Sequence, residues 1–552
     1  MPRPGKNGAY GGRRRRQRYG RWVPGAGVGP TRGFVWGRRT GFRAAAFVVL
    51  AAVVLSRGSD SVAAGATAKH PPTRSVSTVP PGAATLTFTG GSQPIPTSFL
   101  GISVEYDEVA AFEHHGALFD RALALVRPGD ESLVPLRIGG RSANEVYWNT
   151  RPGRARGLVF EVGTRWLTQL ADLTRRDGLE VMLDLNLPVH SPAMATAFAL
   201  AASRALPRGR LAGLAIGNEP DLYSEQPQYE NERTAATLRS TPTQWAVGYS
   251  AADYWRDFQV YARALHAAVP GVPVAGPDVP PFATGWVQGA PSPSDDGPQA
   301  IEVHHPGTST CWGPANTPTV RRLLAPSAVG GLDATAGGAL QFAHAHGLPF
   351  YLTETNAVSL CAGTPVAPAA ESFATALWAP DALFEMLSAG VDGINLHLRS
   401  SLINAPFHLG RTGLAARPEL YGLVLFARML GTDAQLVGVR LDPPGPMNVK
   451  AWAVRSRDAL RVLLIDKDSR SINVTIPAGT ATAPAQLERL EAPSPQSDAS
   501  VTLAGQQIAS NGHWNHDKII TSVPARNGAY YVDVPAYSAA TVQIPQLTDY
   551  RP

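Results

Sequence analysis

Leu211–Tyr223 reads Leu-Ala-Gly-Leu-Ala-Ile-Gly-Asn-Glu-Pro-Asp-Leu-Tyr, an apolar run that ends on Gly217 and gives way to Asn218, Glu219 and Pro220. Small or branched uncharged residues in unbroken succession suit a strand buried on both faces, as in a parallel sheet. Pro220 has no amide hydrogen to offer a ladder, so the strand stops near Glu219. A carboxylate at the carboxyl end of a buried parallel strand stands where α/β barrels carry their chemistry, although strand-ending acids also cap helices. The pattern recurs at Pro349–Asn356, Pro-Phe-Tyr-Leu-Thr-Glu-Thr-Asn, where Glu354 closes a second apolar strand.

On either side of these stretches the chain alternates apolar strands with amphipathic helices. The expected strands are Leu100–Glu105, Leu133–Ile138, Leu179–Leu185, Leu211–Gly217, Val272–Ala275, Ile301–His304, Phe350–Thr353 and Val391–His397. Helical periodicity fills Thr164–Arg176, Ala252–Val269 and Ala369–Ala389. Eight alternations within 84–435 match a (β/α)8 TIM barrel. A doubly wound sheet is the alternative, but no Gly-x-Gly-x-x-Gly follows the first strand. From about Val437 only short runs parted by turn residues remain, which predicts a C-terminal antiparallel β-sandwich over 436–552. Ala84–Thr89 alternates with period two and is expected either to open the barrel domain or to join the sandwich. A chain of 552 residues has room for both domains.

The net charge of +6 is unevenly spread. Residues 1–43 hold twelve basic side chains and no acid, which leaves 44–552 at −6. The body therefore gives no electrostatic reason to expect nucleic acid. The basic stretch precedes the apolar Ala44–Leu55 and then small residues around Ala66-Thr67-Ala68, the grammar of a signal peptide. Residues 1–68 are read as this leader and 69–83 as a Pro, Ser and Thr rich linker. Export to the cell surface or medium follows, with an uncleaved signal anchor as the rival and the only expected membrane contact. Cys311 and Cys361 fall in the loops after two consecutive expected strands, so an oxidising compartment allows a disulfide between them; two free thiols are the alternative.

Four segments occur in one order: Phe99-Leu100-Gly101-Ile102-Ser103-Val104-Glu105, Leu136-Arg137-Ile138-Gly139-Gly140, Gly217-Asn218-Glu219-Pro220 and Thr353-Glu354-Thr355-Asn356. So ordered, and with Arg417-Pro418-Glu419-Leu420-Tyr421-Gly422 and the β tail, the chain resembles glycoside hydrolase family 79, the β-glucuronidases and heparanase. The resemblance runs from about Ala84 to the end. It implies a barrel plus a sandwich, retention of configuration, Glu219 as acid/base and Glu354 as nucleophile. The chemistry fits on its own terms. Cleaving an acetal needs a proton for the departing oxygen and an electron pair for the anomeric carbon, hence one protonated and one ionised carboxyl.

Other residues stand near the expected strand ends. Asn218 can hold a sugar 2-hydroxyl or merely shape a turn. Arg137 can orient Glu354 or form a structural ion pair. Glu105 suits sugar hydroxyls or helix capping, and Asn356, Asn395 and His397 are weaker rim candidates. His304 and His305 lack further ligands at metal spacing, so hydrogen bonding at the rim is expected and neither metal nor cofactor is. The sequence departs from its relatives after the histidines: Pro306 stands where an aromatic is common, and Trp312 follows only after an insertion. Arg399 is the substitute expected to clamp a substrate carboxylate. Tyr106, Tyr147, Trp148 and Tyr223 are stacking candidates or packing residues. The reading is thus an exported retaining β-glycosidase of β-glucuronidase type acting on a polysaccharide or glycoconjugate. The alternatives are a retaining enzyme for another glycone, such as an arabinoside, or a secreted carbohydrate-binding protein without turnover.

Overall fold

The computed structural model describes residues 83–129, 132–149, 160–223, 248–310, 317–359, 368–398, 405–479 and 481–545. Eight strands close into a parallel barrel. In chain order they are Leu100–Glu105, Val134–Gly139, Leu179–Leu185, Leu211–Ile216, Val274–Val279, Ala300–His304, Phe350–Thr355 and Gly393–Leu398. The last pairs with the first, Ile394 opposite Leu100 and Leu398 opposite Val104, which completes the ring. The outer layer includes Thr164–Arg176, Pro192–Ala205, Ala251–Ala268, Ala374–Ala389 and Pro418–Met429. Ala251–Ala268 starts on a capping box in which Ser250 and Asp253 satisfy each other's backbone amides. The TIM barrel expected from the strand and helix alternation is the fold found.

Two expected boundaries move for informative reasons. The fifth strand continues past Ala275 to Val279, because the chain stays extended through Gly276-Pro277, residues that read as punctuation in the sequence. The extension brings Asp278 into the barrel mouth. The helix expected from Ala369 begins at Ala374, after a 3-10 turn over Pro368–Glu371.

The barrel is filled unusually. Such interiors are commonly layered with branched apolar residues, whereas Arg137, Asp184, Asp278 and Glu302 are fully buried here and Thr353 nearly so. Below Arg137, toward the amino-terminal ends of the strands, lies a cavity of about 180 Å³ lined by Pro135, Glu180, Met182, Gln299, Tyr351 and Asn395. Asn395, a rim candidate by sequence, thus lines the cavity at the opposite end from the mouth.

The C-terminal strands form a second, mostly antiparallel sheet. Gln435–Asp442, Val449–Arg455, Ala459–Asp466 and Ser538–Pro545 run side by side, each antiparallel to its neighbour. Ala84–Pro94 joins this sheet, antiparallel to Gln435–Asp442 and parallel to Ile472–Pro477. The sheet curls over itself, since Tyr530 and Val532 share a core with Val462, Leu464 and Val542.

Its other face rests on the barrel helices. Trp452 Nε1 donates to Asp381 Oδ1 at 2.8 Å, and beside the sheet Arg428 lies 4.7 Å from the ring centroid of Trp514, which belongs to a short ladder of Gln507–Ile508 with Trp514–Asn515. Lys467 Nζ donates to the other Asp381 oxygen at 2.6 Å, an ion pair with both side chains 1% exposed. Such a pair is costly to bury and costlier to break. Among the described residues no helix is long and apolar enough to cross a membrane.

Candidate active site

The chain leaves the fourth barrel strand through an unusual turn. Gly217 has φ +79 and Glu219 φ +46, so two residues flanking Asn218 adopt the left-handed region. Glycine suits the first position, where a Cβ would also come 2.9 Å from the Tyr223 hydroxyl. At Glu219 a non-glycine residue is held there by its surroundings. Asn144, in the 3-10 turn Gly140–Glu145, clamps the turn from one side: its Nδ2 donates to the Asn218 carbonyl at 2.8 Å, and its Oδ1 accepts the Asn218 N–H at 3.3 Å and the Tyr223 hydroxyl at 2.8 Å. From the other side the Glu219 N–H donates to the Asp278 carbonyl at 3.0 Å.

Glu354 leaves the seventh strand toward the same mouth. Arg137 Nη1 donates to its Oε1 at 2.7 Å and to Ser103 Oγ at 2.9 Å. Arg137 Nη2 donates to Asp184 Oδ2 at 2.6 Å, to Asn218 Oδ1 at 2.8 Å and to Asp278 Oδ2. One guanidinium on the second strand therefore ties that strand to five others or their loops. Gly139 is needed to make room, since a Cβ there would run into the Asp184 carboxylate.

His304 joins the two glutamates. Its Nδ1 stands 3.1 Å from Glu219 Oε1 and 3.9 Å from Glu354 Oε2, while Nε2 faces Asp278 Oδ1 at 3.1 Å. Glu219 Oε1 and Glu354 Oε2 therefore cannot be farther apart than those two distances laid end to end, about 7 Å. That bound admits the ~5–5.5 Å carboxyl separation of retaining glycosidases.

The charges separate into distinct roles. Burial alone would raise the Glu354 carboxyl, but His397, at 3.6 Å, together with His304 and Arg137 holds it down at about 2. Asp278 is likewise pushed below the ordinary range: its burial is outweighed by Arg137, His304 and the Thr353 hydroxyl, which donates to Oδ1. Burial raises Asp184 and Glu302 well above the ordinary range, and neither Glu302 oxygen has a hydrogen-bond partner among the described residues. Burial lowers His304, yet Glu354, Asp278 and Glu219 together raise it well above the usual imidazole value. The floor of the mouth is thus a mesh of Arg137, His304, Asp278 and Glu354 charges around a carboxylate kept ionised.

The remaining sequence candidates fall variously. Asn218 shows its Oδ1 to Arg137, and its Nδ2 has no partner among the described residues. Glu105 accepts the Ser142 N–H at 2.8 Å and packs under Gly140, a capping contact at the edge of the site. His305, the first residue after the sixth strand, turns away from His304, and Thr335 Oγ1 lies 3.1 Å from its Nδ1; burial lowers its pKa to about 4. Asn356 is buried, and its Nδ2 donates to the His397 carbonyl at 2.9 Å. Tyr106 is fully buried, donating to the Asp184 carbonyl at 2.6 Å and stacked on Trp166, while Trp148 stacks on Phe198. Both therefore pack. Arg399, Trp312, Cys311 and Cys361 lie outside the described residues, as does the leader 1–68.

Three functional positions were not singled out from sequence. Asp184 and Asp278 stand next to last in the third and fifth strands, as Glu354 does in the seventh; the criterion that finds Glu354 reaches Asp184, whereas Gly276-Pro277 hides Asp278 from it. Asn144 lies in a turn whose spacing carries no such signal. Among the described residues no group of three or more His, Cys, Asp or Glu could hold a metal ion.

The glycosyl hydrolase family 79 C-terminal beta domain matches residues 447–541. The family resemblance read from the sequence is borne out. Solved structures share the fold over most of the chain. A 4-O-α-L-rhamnosyl-β-D-glucuronidase from Fusarium oxysporum 12S, in complex with Rha-GlcA, has a TM-score of 0.68 at 15% identity, covering 83% of this chain and 100% of that one. A GH51 arabinofuranosidase from Xanthomonas axonopodis pv. citri has a TM-score of 0.60 at 14% identity, covering 84% and 100%. An α-L-arabinofuranosidase from Thermotoga maritima, in complex with arabinose, has a TM-score of 0.57 at 14% identity, with the same coverage. No curated protein matches. The family 79 domain, on a barrel fold shared with glycosidases, supports a glycosidase with a carbohydrate substrate.

Proposed function

We propose that the protein is an exported retaining β-glycosidase that hydrolyses β-glucuronides through a covalent glycosyl-enzyme on Glu354. The observation that carries this reading is the meeting of Glu219 and Glu354 at the single nitrogen His304 Nδ1, with Glu354 held ionised at about 2. A carboxylate so deprotonated is available as a nucleophile across the neutral range. Glu354 attacks the anomeric carbon while Glu219 gives its proton to the departing oxygen. Glu219 then takes a proton from water, whose oxygen displaces Glu354 and restores the original configuration. Asn218 Nδ2 is the donor for the sugar 2-hydroxyl, a bond that tightens as the ring flattens.

A glucuronide glycone is favoured by the family 79 domain and by the fold shared with the Fusarium glucuronidase. Arg399 is the proposed clamp for the sugar carboxylate. The arabinofuranosidases of the same fold favour a second reading, in which the same machinery takes an arabinoside. Export rests on the basic leader and the apolar Ala44–Leu55. A panel of p-nitrophenyl glycosides, with the first-formed anomer followed by proton NMR, tests the proposal. Release from the β-glucuronide with the β-anomer appearing first is expected. The α-anomer first, or release from the arabinoside alone, would overturn mechanism or glycone respectively.

A further inference from the structure

Asp278 does more at this site than neutralise Arg137. It has φ +58, in the left-handed region that aspartate tolerates better than most residues, and it is fully buried. Its carboxylate and carbonyl are both engaged: Oδ2 accepts from Arg137, Oδ1 accepts from Thr353 and stands at ion-pair distance, 3.1 Å, from His304 Nε2 without hydrogen-bond alignment, and its carbonyl accepts the Glu219 N–H at 3.0 Å. Asp278 therefore reaches Glu219 twice, through the backbone and through the imidazole. His304 lies between two carboxylates at equal distances, 3.1 Å on either ring nitrogen. Two flanking carboxylates favour the doubly protonated, cationic ring, with Nδ1 hydrogen-bonded to Glu219 and Nε2 attracted to Asp278 by charge.

We propose that Asp278 is a positioning residue for proton transfer: it anchors His304 through Nε2 so that Nδ1 stores the proton that Glu219 delivers. The inference rests on Glu219 acting as the acid/base. In the resting site the proton sits on Nδ1. Its N–H bond breaks as the Glu219 Oε1–H bond forms, leaving a neutral imidazole that keeps Nε2–H toward Asp278. The Glu219 O–H bond then breaks as the proton joins the leaving oxygen, which keeps the electron pair of the cleaved C–O bond. Glu354 supplies the pair for the new bond to the anomeric carbon. In the second half, water gives a proton to Glu219 and its oxygen bonds the anomeric carbon. The pair of the Glu354 ester bond returns to Glu354, and the proton passes back to Nδ1.

Five acidic groups act on His304: Glu219 from the loop after the fourth strand, Asp278 from the fifth, Glu354 from the seventh, Asp184 from the third and Glu302 from its own. Of these, Asp278 alone faces Nε2 within ion-pair distance among the described residues. Removing its charge makes the stored proton easier to lose, so activity falls at lower pH.

The test is Asp278→Asn in the full chain, with kcat/KM measured against pH on p-nitrophenyl and methyl β-D-glucuronide. The alkaline limb should move down by about one to three units, the usual effect of removing an opposite charge at this range. The loss should be at least about tenfold greater on the methyl glycoside, whose leaving oxygen needs the proton more. An unmoved alkaline limb, or equal loss on both substrates, would overturn the proposal. Neutron diffraction on the wild-type enzyme gives a reading independent of the variant's folding. Hydrogen on both His304 nitrogens supports the proposal, and a bare Nε2 or a protonated Asp278 overturns it. Glu219→Gln separates the two layers. If it spares the methyl glycoside, the acid/base reading itself fails; if it abolishes that activity while Asp278→Asn leaves the profile unchanged, only the relay fails.

Discussion

Replacing Glu354 by Gln should weaken the fold at neutral pH as well as stop turnover. Glu354 lies at about 2 in the folded chain, against ~4.3 for an ordinary glutamate. A depressed folded value means that the ionised group stabilises the fold above the unfolded value, and that this contribution is lost as pH falls through the folded one. The gap of roughly two units corresponds to about 3 kcal/mol at pH 7. The side chain is 22% exposed, so solvent screening trims this only modestly. Gln keeps the shape and one acceptor for Arg137 but cannot carry the charge, which makes about 3 kcal/mol an upper figure. An unfolding entropy near 1 kcal/mol/K for a folded part of several hundred residues turns that into a Tm lower by about 3 °C. Thermal unfolding of both proteins between pH 7 and pH 3 is the assay. The Tm gap should be widest near neutrality and roughly halved by pH 3. A Gln variant as stable as wild type at pH 7, or a gap that does not narrow in acid, would refute the ionised, charge-held carboxylate.

Other substitutions read other parts of the site. Glu219→Ala should lose far more activity on methyl than on 2,4-dinitrophenyl glycosides, and azide should restore turnover with a β-glycosyl azide as product, seen by NMR. Asn144→Ala frees the turn that aims Asn218 and Glu219; kcat should fall on the order of 10–100-fold while KM changes little, by steady-state kinetics. Gly139→Ala drives a methyl into Asp184 and should cost more than about 2 kcal/mol in denaturant unfolding. Asn218→Ala should erase most of the preference for substrates bearing a 2-hydroxyl over their 2-deoxy analogues.

The barrel was legible because buried parallel strands are long, apolar and regularly spaced, and the acids that end them interrupt that pattern conspicuously. Glu219, Glu354, Arg137 and His304, all picked from such positions, meet in one mouth. Asp278 is hidden in the sequence because Gly276-Pro277 reads as the end of a strand that in fact runs on to Val279. His305 shows the converse: period-two alternation, read strictly, already sends it to the opposite face from His304. Asn395 sits on the right strand but one layer too deep, facing the lower cavity. Asn144 depends on a contact with Asn218 across 74 positions of sequence, and no local pattern encodes such a pairing.

Trapping the intermediate tests the central claim most directly. The full enzyme is incubated with a 2-deoxy-2-fluoro-β-glucuronyl fluoride, digested and mapped by mass spectrometry. One sugar per chain, ester-linked to Glu354, is the result the geometry predicts. A label on any other residue, or turnover of β-glucuronides with no label at all, would contradict it.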